Sequence, residues 1–85
     1  MTPGTIKGHT RVLGKPKGWD DKLDGECSAL HIRDGLLAGS SSMESLWTFT
    51  AEERAAIAAG ADLVLGVVGS AHPPVFAYVS SEDAA

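Results

Sequence analysis

The clearest pattern of the chain is a run of alanines that follows a helix-start signal. Thr50 stands three residues before Glu53, which predicts a capping box at the first turn of a helix. Gly60 stands where a residue with left-handed backbone commonly ends a helix. We therefore expect an alanine-rich helix over residues 51–59. Its small side chains would let it lie close to a sheet.

Five stretches carry the apolar or alternating patterns of β-strands. They are residues 9–13, 26–33, 43–49, 63–68 and 75–79. In the second stretch Leu30 and Ile32 face one way, whereas His31 and Arg33 face the other. The predicted fold is therefore α+β, a small mixed or antiparallel sheet of about five strands with the helix packed on one face.

The remaining segments are predicted to be irregular, and the 85 residues form a single domain. Residues 1–8 are expected to be a loose lead-in and residues 80–85 a frayed acidic tail. Turn-forming and charged residues predict a long loop over residues 15–25. Glycines and three serines predict a flexible connection over residues 34–42.

The last two predicted strands are apolar on both faces, which is unusual for an antiparallel sheet with one wet side. One helix covers only one face of such a sheet. We therefore expect a second copy of the chain to cover the other face, which predicts a homo-oligomer. The alternative is that the loops at residues 14–25 and 34–42 fold over this face.

Composition and charge exclude several classes of protein. The net charge of −4 argues against duplex DNA as a partner, and no apolar run is long enough to span a membrane. The start of the chain lacks the pattern of a signal peptide, and a single cysteine, Cys27, is typical of a reducing cytoplasm. The charge is uneven: residues 1–33 carry six Lys or Arg against four acids, whereas residues 34–85 carry one Arg against seven acids.

Catalytic and metal-binding patterns do not stand out. The three histidines and Cys27 lack the close spacing of zinc ligands, and no serine lies in a nucleophile motif. Cys27 and His31 are four residues apart in a predicted strand, which separates them by about 13 Å. This is too far for a nucleophile–base pair, so Cys27 is interpreted as a small buried residue. The sequence predicts a protein that is not an enzyme and uses no metal or cofactor.

A site for a small anion is the better prediction, because most cations lie in the first part of the chain. If Val12, Leu30 and Ile32 point inward, the cations of the two neighbouring strands share the outward face, where arginine can hold a phosphate. The candidate ligand-binding residues are Arg11, Lys17, Trp19, His31, Arg33 and His72. Trp19 is either a stacking platform or a core residue that holds its loop, and Trp47 is assigned to the core. His72 is either a contact at the pocket rim or part of a rigid turn with Pro73 and Pro74.

The chain also resembles a group of short uncharacterised proteins of tailed bacteriophages and prophages. The resemblance covers most of residues 9–79 and rests on the following residues: Trp19-Asp20, Gly25-x-Cys27-x-x-Leu30, Trp47, Glu52-Glu53, Gly60-Ala61, and Gly69-x-x-His72-Pro73-Pro74-Val75. Phe49 departs from the proline expected there. The resemblance implies a phage accessory protein acting in the bacterial cytoplasm, with no activity to carry over.

Within that setting we expect a counter-defence oligomer that sequesters a small anionic ligand such as a cyclic nucleotide messenger. The alternatives are an inhibitor that blocks a host defence protein, and a minor virion or assembly factor.

Overall fold

The computed structural model describes all 85 residues. Its elements are, in chain order, β1 (Thr2–Pro3), β2 (Arg11–Leu13), α1 (Asp21–Asp24), β3 (Leu30–Leu37), β4 (Ser40–Glu44), β5 (Trp47–Thr48) and α2 (Ala51–Ala58). The chain has a small α+β fold, as predicted. Its five strands form two antiparallel sheets, one with the order β2-β3-β4 and one that pairs β1 with β5.

Helix α2 begins and ends as its sequence predicts. The Thr50 hydroxyl accepts a hydrogen bond from the Glu53 N–H at 3.1 Å, and the Glu53 carboxylate accepts one from the Thr50 N–H at 2.9 Å. At the other end Gly60 has a φ of 107°, and the Ala61 N–H donates to the Ala56 carbonyl at 2.9 Å. This is a Schellman motif, which only a residue tolerant of positive φ completes without strain.

The helix contacts the start of the chain and the residues that follow it rather than the three-stranded sheet. None of its residues is buried. Ile57 lines an open apolar hollow of about 290 Å³ together with Met1, Phe49 and Leu63. The Met1 ammonium forms an ion pair with the Glu53 carboxylate at 2.5 Å, which ties the chain start to the first turn of the helix.

The connection predicted to be flexible at residues 34–42 is instead part of a β-hairpin. Strand β3 runs through Leu37, and β4 begins at Ser40. The two residues between them, Ala38 and Gly39, both have positive φ values, of 49° and 84°. Such a two-residue turn matches the twist of the strands it joins, so the serines pair in a ladder. The long loop at residues 15–25 also differs from the prediction, because it contains the one-turn helix α1 capped by Asp20.

The two chain ends were predicted to be loose and frayed, and both predictions are wrong. Strand β1 pairs with β5 and Ile6 forms a bridge with Ala84. The Lys7 N–H donates to the Asp83 carbonyl at 2.8 Å, and the Ala85 N–H donates to the Thr5 carbonyl at 2.9 Å. Ile6 is 2% exposed and, with Ile32 at 4%, is one of the two buried residues of the chain. Burial of a large apolar side chain therefore holds the two ends together.

The two strands predicted at residues 63–68 and 75–79 do not form. These residues belong to no strand, and all of them are exposed. The Phe76 and Tyr78 rings lie parallel with centroids 6.4 Å apart, as side chains two residues apart do on an extended chain. Residues 63–79 thus pair with no strand of this chain, and residues 68–71 form bends.

Replacement of Thr50 by alanine tests the helix start. We expect Thr50→Ala to lower the free energy of unfolding by about 1 kcal/mol, because the Glu53 N–H loses its acceptor. Urea unfolding followed by circular dichroism measures the change. Thr5→Ala, at an exposed threonine outside any helix, is the matched control. Equal losses in both variants would show that the capping box adds no stability.

Candidate functional site

The predicted cations of the three-stranded sheet do not share one face. Arg11 lies directly across from Ile32, and Val12 lies across from His31. Because side chains alternate along a strand, Arg11 projects from the face of Ile32, and Arg33 projects from the opposite face with His31. The prediction of one cationic face was therefore wrong by one residue of register. The cations would share one face only if β2 were shifted by one residue, so that Val12 lay across from Ile32.

Arg11 is paired with Asp34 on the same face. Its Nε and Nη2 donate to the two Asp34 carboxylate oxygens at 3.0 and 2.9 Å. The Thr10 hydroxyl also donates to this carboxylate, at 2.5 Å, and the Thr10 and Arg11 bonds lower the pKa of Asp34. The two-pronged contact that would have bound an external phosphate is thus made to a carboxylate of the chain.

Arg33 is the centre of a polar cluster that joins the hairpin to both chain ends. Its Nε donates to the Glu44 carboxylate at 3.2 Å, and its Nη1 donates to the Asp83 carboxylate at 2.9 Å. Nη1 also donates to the Lys7 carbonyl at 3.2 Å, and Nη2 lies 3.3 Å from the Tyr78 hydroxyl. The Tyr78 hydroxyl in turn donates to Glu44. We call these five residues the Arg33 cluster.

Three residues of the cluster, Arg33, Tyr78 and Asp83, have shifted pKa values. The hydrogen bond from Arg33 is the main cause of a lowered pKa at Asp83, and the bond to Asp83 raises the pKa of Arg33. The hydrogen bond to Glu44 is the main cause of a raised pKa at Tyr78. Arg33 thus faces two carboxylates of its own chain and is not available for an outside anion.

Of the other predicted site residues, His31 shares a face of β3 with Arg33, whereas Lys17 and His72 lie outside the three-stranded sheet. The His31 ring meets the His9 ring edge to face, with centroids 4.9 Å apart. His72 is exposed, and its Nδ1 contacts only the carbonyl of the next residue, Pro73, at 2.9 Å. Lys17 is exposed on the loop before α1. No hydrogen bond or ion pair joins His31, Lys17 or His72 to Arg11 or Arg33.

Trp19 and Trp47 line one open hollow of about 400 Å³, which we call the tryptophan hollow. Its other lining residues are Pro3, Glu26, Cys27, Ser28, Leu30 and Val68. Trp19 is half-buried, and its Nε1 donates to the Gly25 carbonyl at 2.8 Å, which closes the loop. Trp47 is 43% exposed rather than a core residue, and Cys27 is half-buried in the wall of the hollow. Neither of the two small sheets is large enough to cover Trp47 and Cys27 fully.

Sequence reasoning missed the roles of Tyr78 and Asp83 in the Arg33 cluster. The signal for Asp83 was present but weak: one acid near the end of the chain gives no pattern that would link it to residue 33. No group of three or more His, Cys, Asp or Glu side chains is placed to hold a metal ion. No helix of the chain has the length and apolar character needed to cross a bilayer.

Comparison of the chain with protein-family models, with curated proteins and with solved structures found no match.

The Arg33 cluster predicts a pH dependence of the docked chain end. Because Asp83 has a lowered pKa in the folded chain, it stabilises the contact above its unfolded pKa, and this stability is lost as the pH falls through the folded pKa. Tyr78, with a raised pKa, stabilises the contact below its unfolded pKa and loses this effect as the pH rises through the folded value. We expect the amide signals of Ala84 and Ala85 to shift toward random-coil positions at both extremes.

The variant Asp83→Asn separates this cluster from the other ion pairs of the chain. It should release Ala84 and Ala85 already at neutral pH, as seen in their amide chemical shifts and exchange rates. Glu82→Gln changes the same charge on the neighbouring exposed residue and should leave the docked end in place. Identical spectra for the two variants would remove the assigned role of Asp83.

Proposed function

We propose that this protein is a non-enzymatic accessory protein that works as a homo-oligomer and acts by binding another protein. The oligomer is assembled through residues 63–79, which we call the apolar segment. The observation that carries the proposal is the size of the exposed surface. One chain exposes 6811 Å², whereas a compact monomer of this mass exposes about 4,800 Å².

The dimensions of the chain support the same conclusion. The radius of gyration is 14.5 Å, compared with about 12 Å for a compact domain of this length. The excess surface is about 2,000 Å² in each chain, so a dimer that removes it from both chains buries about 4,000 Å² in total, a size found among obligate homodimers. A second chain is therefore sufficient to bring the exposed area to that of an ordinary globular protein.

Much of the exposed apolar surface lies in the apolar segment. Its large exposed side chains are Leu63, Val64, Leu65, Val67, Val68, Val75, Phe76, Tyr78 and Val79, with exposed fractions from 38% to 100%. Exposed apolar surface that is concentrated in one segment of a folded protein marks an interaction site. Residues of these types favour β-strands, and none of residues 63–79 belongs to a strand of this chain.

A second copy of the chain is the occupant that best fits this segment. Strands β2 and β4 are the two edges of the three-stranded sheet, so each leaves one row of backbone groups open. An extended apolar strand from another copy satisfies such an edge by backbone hydrogen bonding. The uneven charge adds to this fit, because the first part of the chain is positive and the second part is negative.

The target of the oligomer is proposed to be a protein rather than a small anion. Arg11 and Arg33 carry the two-pronged donors that an anion would use, and both are paired with carboxylates of the chain. Sequestration of a cyclic nucleotide stays a prediction, and its site would have to be collected from more than one chain. The non-enzymatic class and the setting, a phage protein in the bacterial cytoplasm, rest on the sequence patterns and the resemblance given above.

Replacement of Val79 tests the assembly. Its side chain is fully exposed in one chain, so Val79→Lys should leave the fold intact and weaken association. We expect the native chain to show a multiple of 8.8 kDa by light scattering and Val79→Lys to shift toward 8.8 kDa. Leu23→Lys, at an 83% exposed leucine outside the segment, is the matched control and should keep the native mass.

A native mass of 8.8 kDa at all concentrations would contradict the proposed assembly. So would an equal loss of mass in both lysine variants, because association would then not depend on the apolar segment.

Calorimetry with cyclic mono-, di- and trinucleotides separates the two ligand classes. The commitment of Arg11 and Arg33 to internal carboxylates predicts no saturable heat with any of them. Saturable binding of one nucleotide, lost on replacement of Lys17 or Trp19, would favour sequestration over protein binding.

A further inference from the structure

We propose that the tryptophan hollow binds an organic cation, namely a quaternary or alkylated ammonium group. Two indole rings, those of Trp19 and Trp47, line the same open hollow of about 400 Å³. The faces of aromatic rings carry negative partial charge, and tryptophan attracts cations more strongly than the other aromatic residues. Two such rings around one hollow form the walls of a cation-binding cage.

The polar ends of both indoles are already occupied. The Trp19 N–H donates to the Gly25 carbonyl at 2.8 Å, and the Trp47 N–H donates to the Ser45 hydroxyl at 3.0 Å. These bonds fix the orientation of the rings before any ligand arrives. The rings therefore offer the hollow apolar and π surface rather than hydrogen-bond donors, which suits a methylated ammonium group that has few or no N–H groups to donate.

The charge of the hollow selects a cation over an anion or a neutral group. Glu26 is the charged residue among its lining residues. The nearby cation Lys15 is paired with Asp21, and the two arginines of the sheet are paired with Asp34, Glu44 and Asp83. The Glu26 carboxylate forms no ion pair within the chain, although Lys15 lies within reach of its charge. The adjoining segment at residues 20–24 carries three acids against one lysine.

The hollow, at about 400 Å³, has room for a small headgroup. Val68 of the apolar segment and Pro3 of β1 complete its apolar wall. Water is displaced from apolar surface when such a headgroup enters, which adds to the attraction between cation and ring. Every residue of the hollow belongs to one chain, and seven of its eight lining residues lie outside the apolar segment.

Intrinsic fluorescence measures this binding directly, since Trp19 and Trp47 are the two tryptophans of the chain. The probe is choline, and its control is 3,3-dimethyl-1-butanol, which has the same shape without the charge. We expect a saturable fluorescence change with choline and at least about tenfold weaker binding of the neutral analogue. The third probe is the amide of Nα-acetyl lysine that is trimethylated at Nε. Tighter binding of this probe than of choline assigns the site to a modified protein side chain. Tighter binding of choline assigns it to a free small molecule.

Glu26→Gln tests the role of the carboxylate. It should weaken choline binding by roughly three- to fivefold, as expected for a solvent-exposed ion pair. Glu82→Gln makes the same change in charge outside the hollow and should bind choline like the native chain. Equal responses to choline and its neutral analogue, equal affinities of the two glutamine variants, or no saturable change with any probe would each overturn the proposal. Circular dichroism spectra of both variants confirm that the fold is retained.

Discussion

The guanidinium of Arg33 is the point on which the arrangement of this small chain depends. Its N–H groups make four hydrogen bonds: one reaches the hairpin at Glu44, one the start of the chain at the Lys7 carbonyl, and two the end of the chain at Asp83 and Tyr78. An arginine suits this position because its planar fork serves several acceptors at once. The cluster brings together the two chain ends, and Ile6 is buried beside the backbone bridge that they form.

The stretch of chain between helix α2 and the Arg33 cluster is exposed in a single copy. The segment after helix α2 is held at one end by the Schellman motif at Gly60 and at the other by the Arg33 cluster. Between them the apolar segment forms no strand and is exposed. The chain makes 29 backbone–backbone hydrogen bonds, roughly half of the number typical for a domain of this length. Backbone groups without a hydrogen-bond partner and exposed apolar side chains occur in the same residues. A strand from another copy would pair these backbone groups and cover these side chains.

The sequence predicted what depends on neighbouring residues and failed where distant residues decide the outcome. Thr50, Glu53 and Gly60 define helix α2 by local rules of capping, and the structure confirms each of them. Ala38 and Gly39 form a tight turn, whereas the glycines and serines of residues 34–42 had predicted a flexible connection. The register of β2 against β3 could not be read from either strand alone, and one residue of shift moved Arg11 to the other face. The partners of Arg33 lie eleven and fifty residues away, beyond any local pattern.

The central claim is that the apolar segment is completed by another copy of the chain. Hydrogen–deuterium exchange of the backbone amides of residues 63–79, measured over a range of protein concentrations, tests it most directly. The account predicts protection in this segment that rises with concentration while the amides of β3 and helix α2 change little. Exchange of residues 63–79 at the rate of an unstructured chain at every concentration would contradict it.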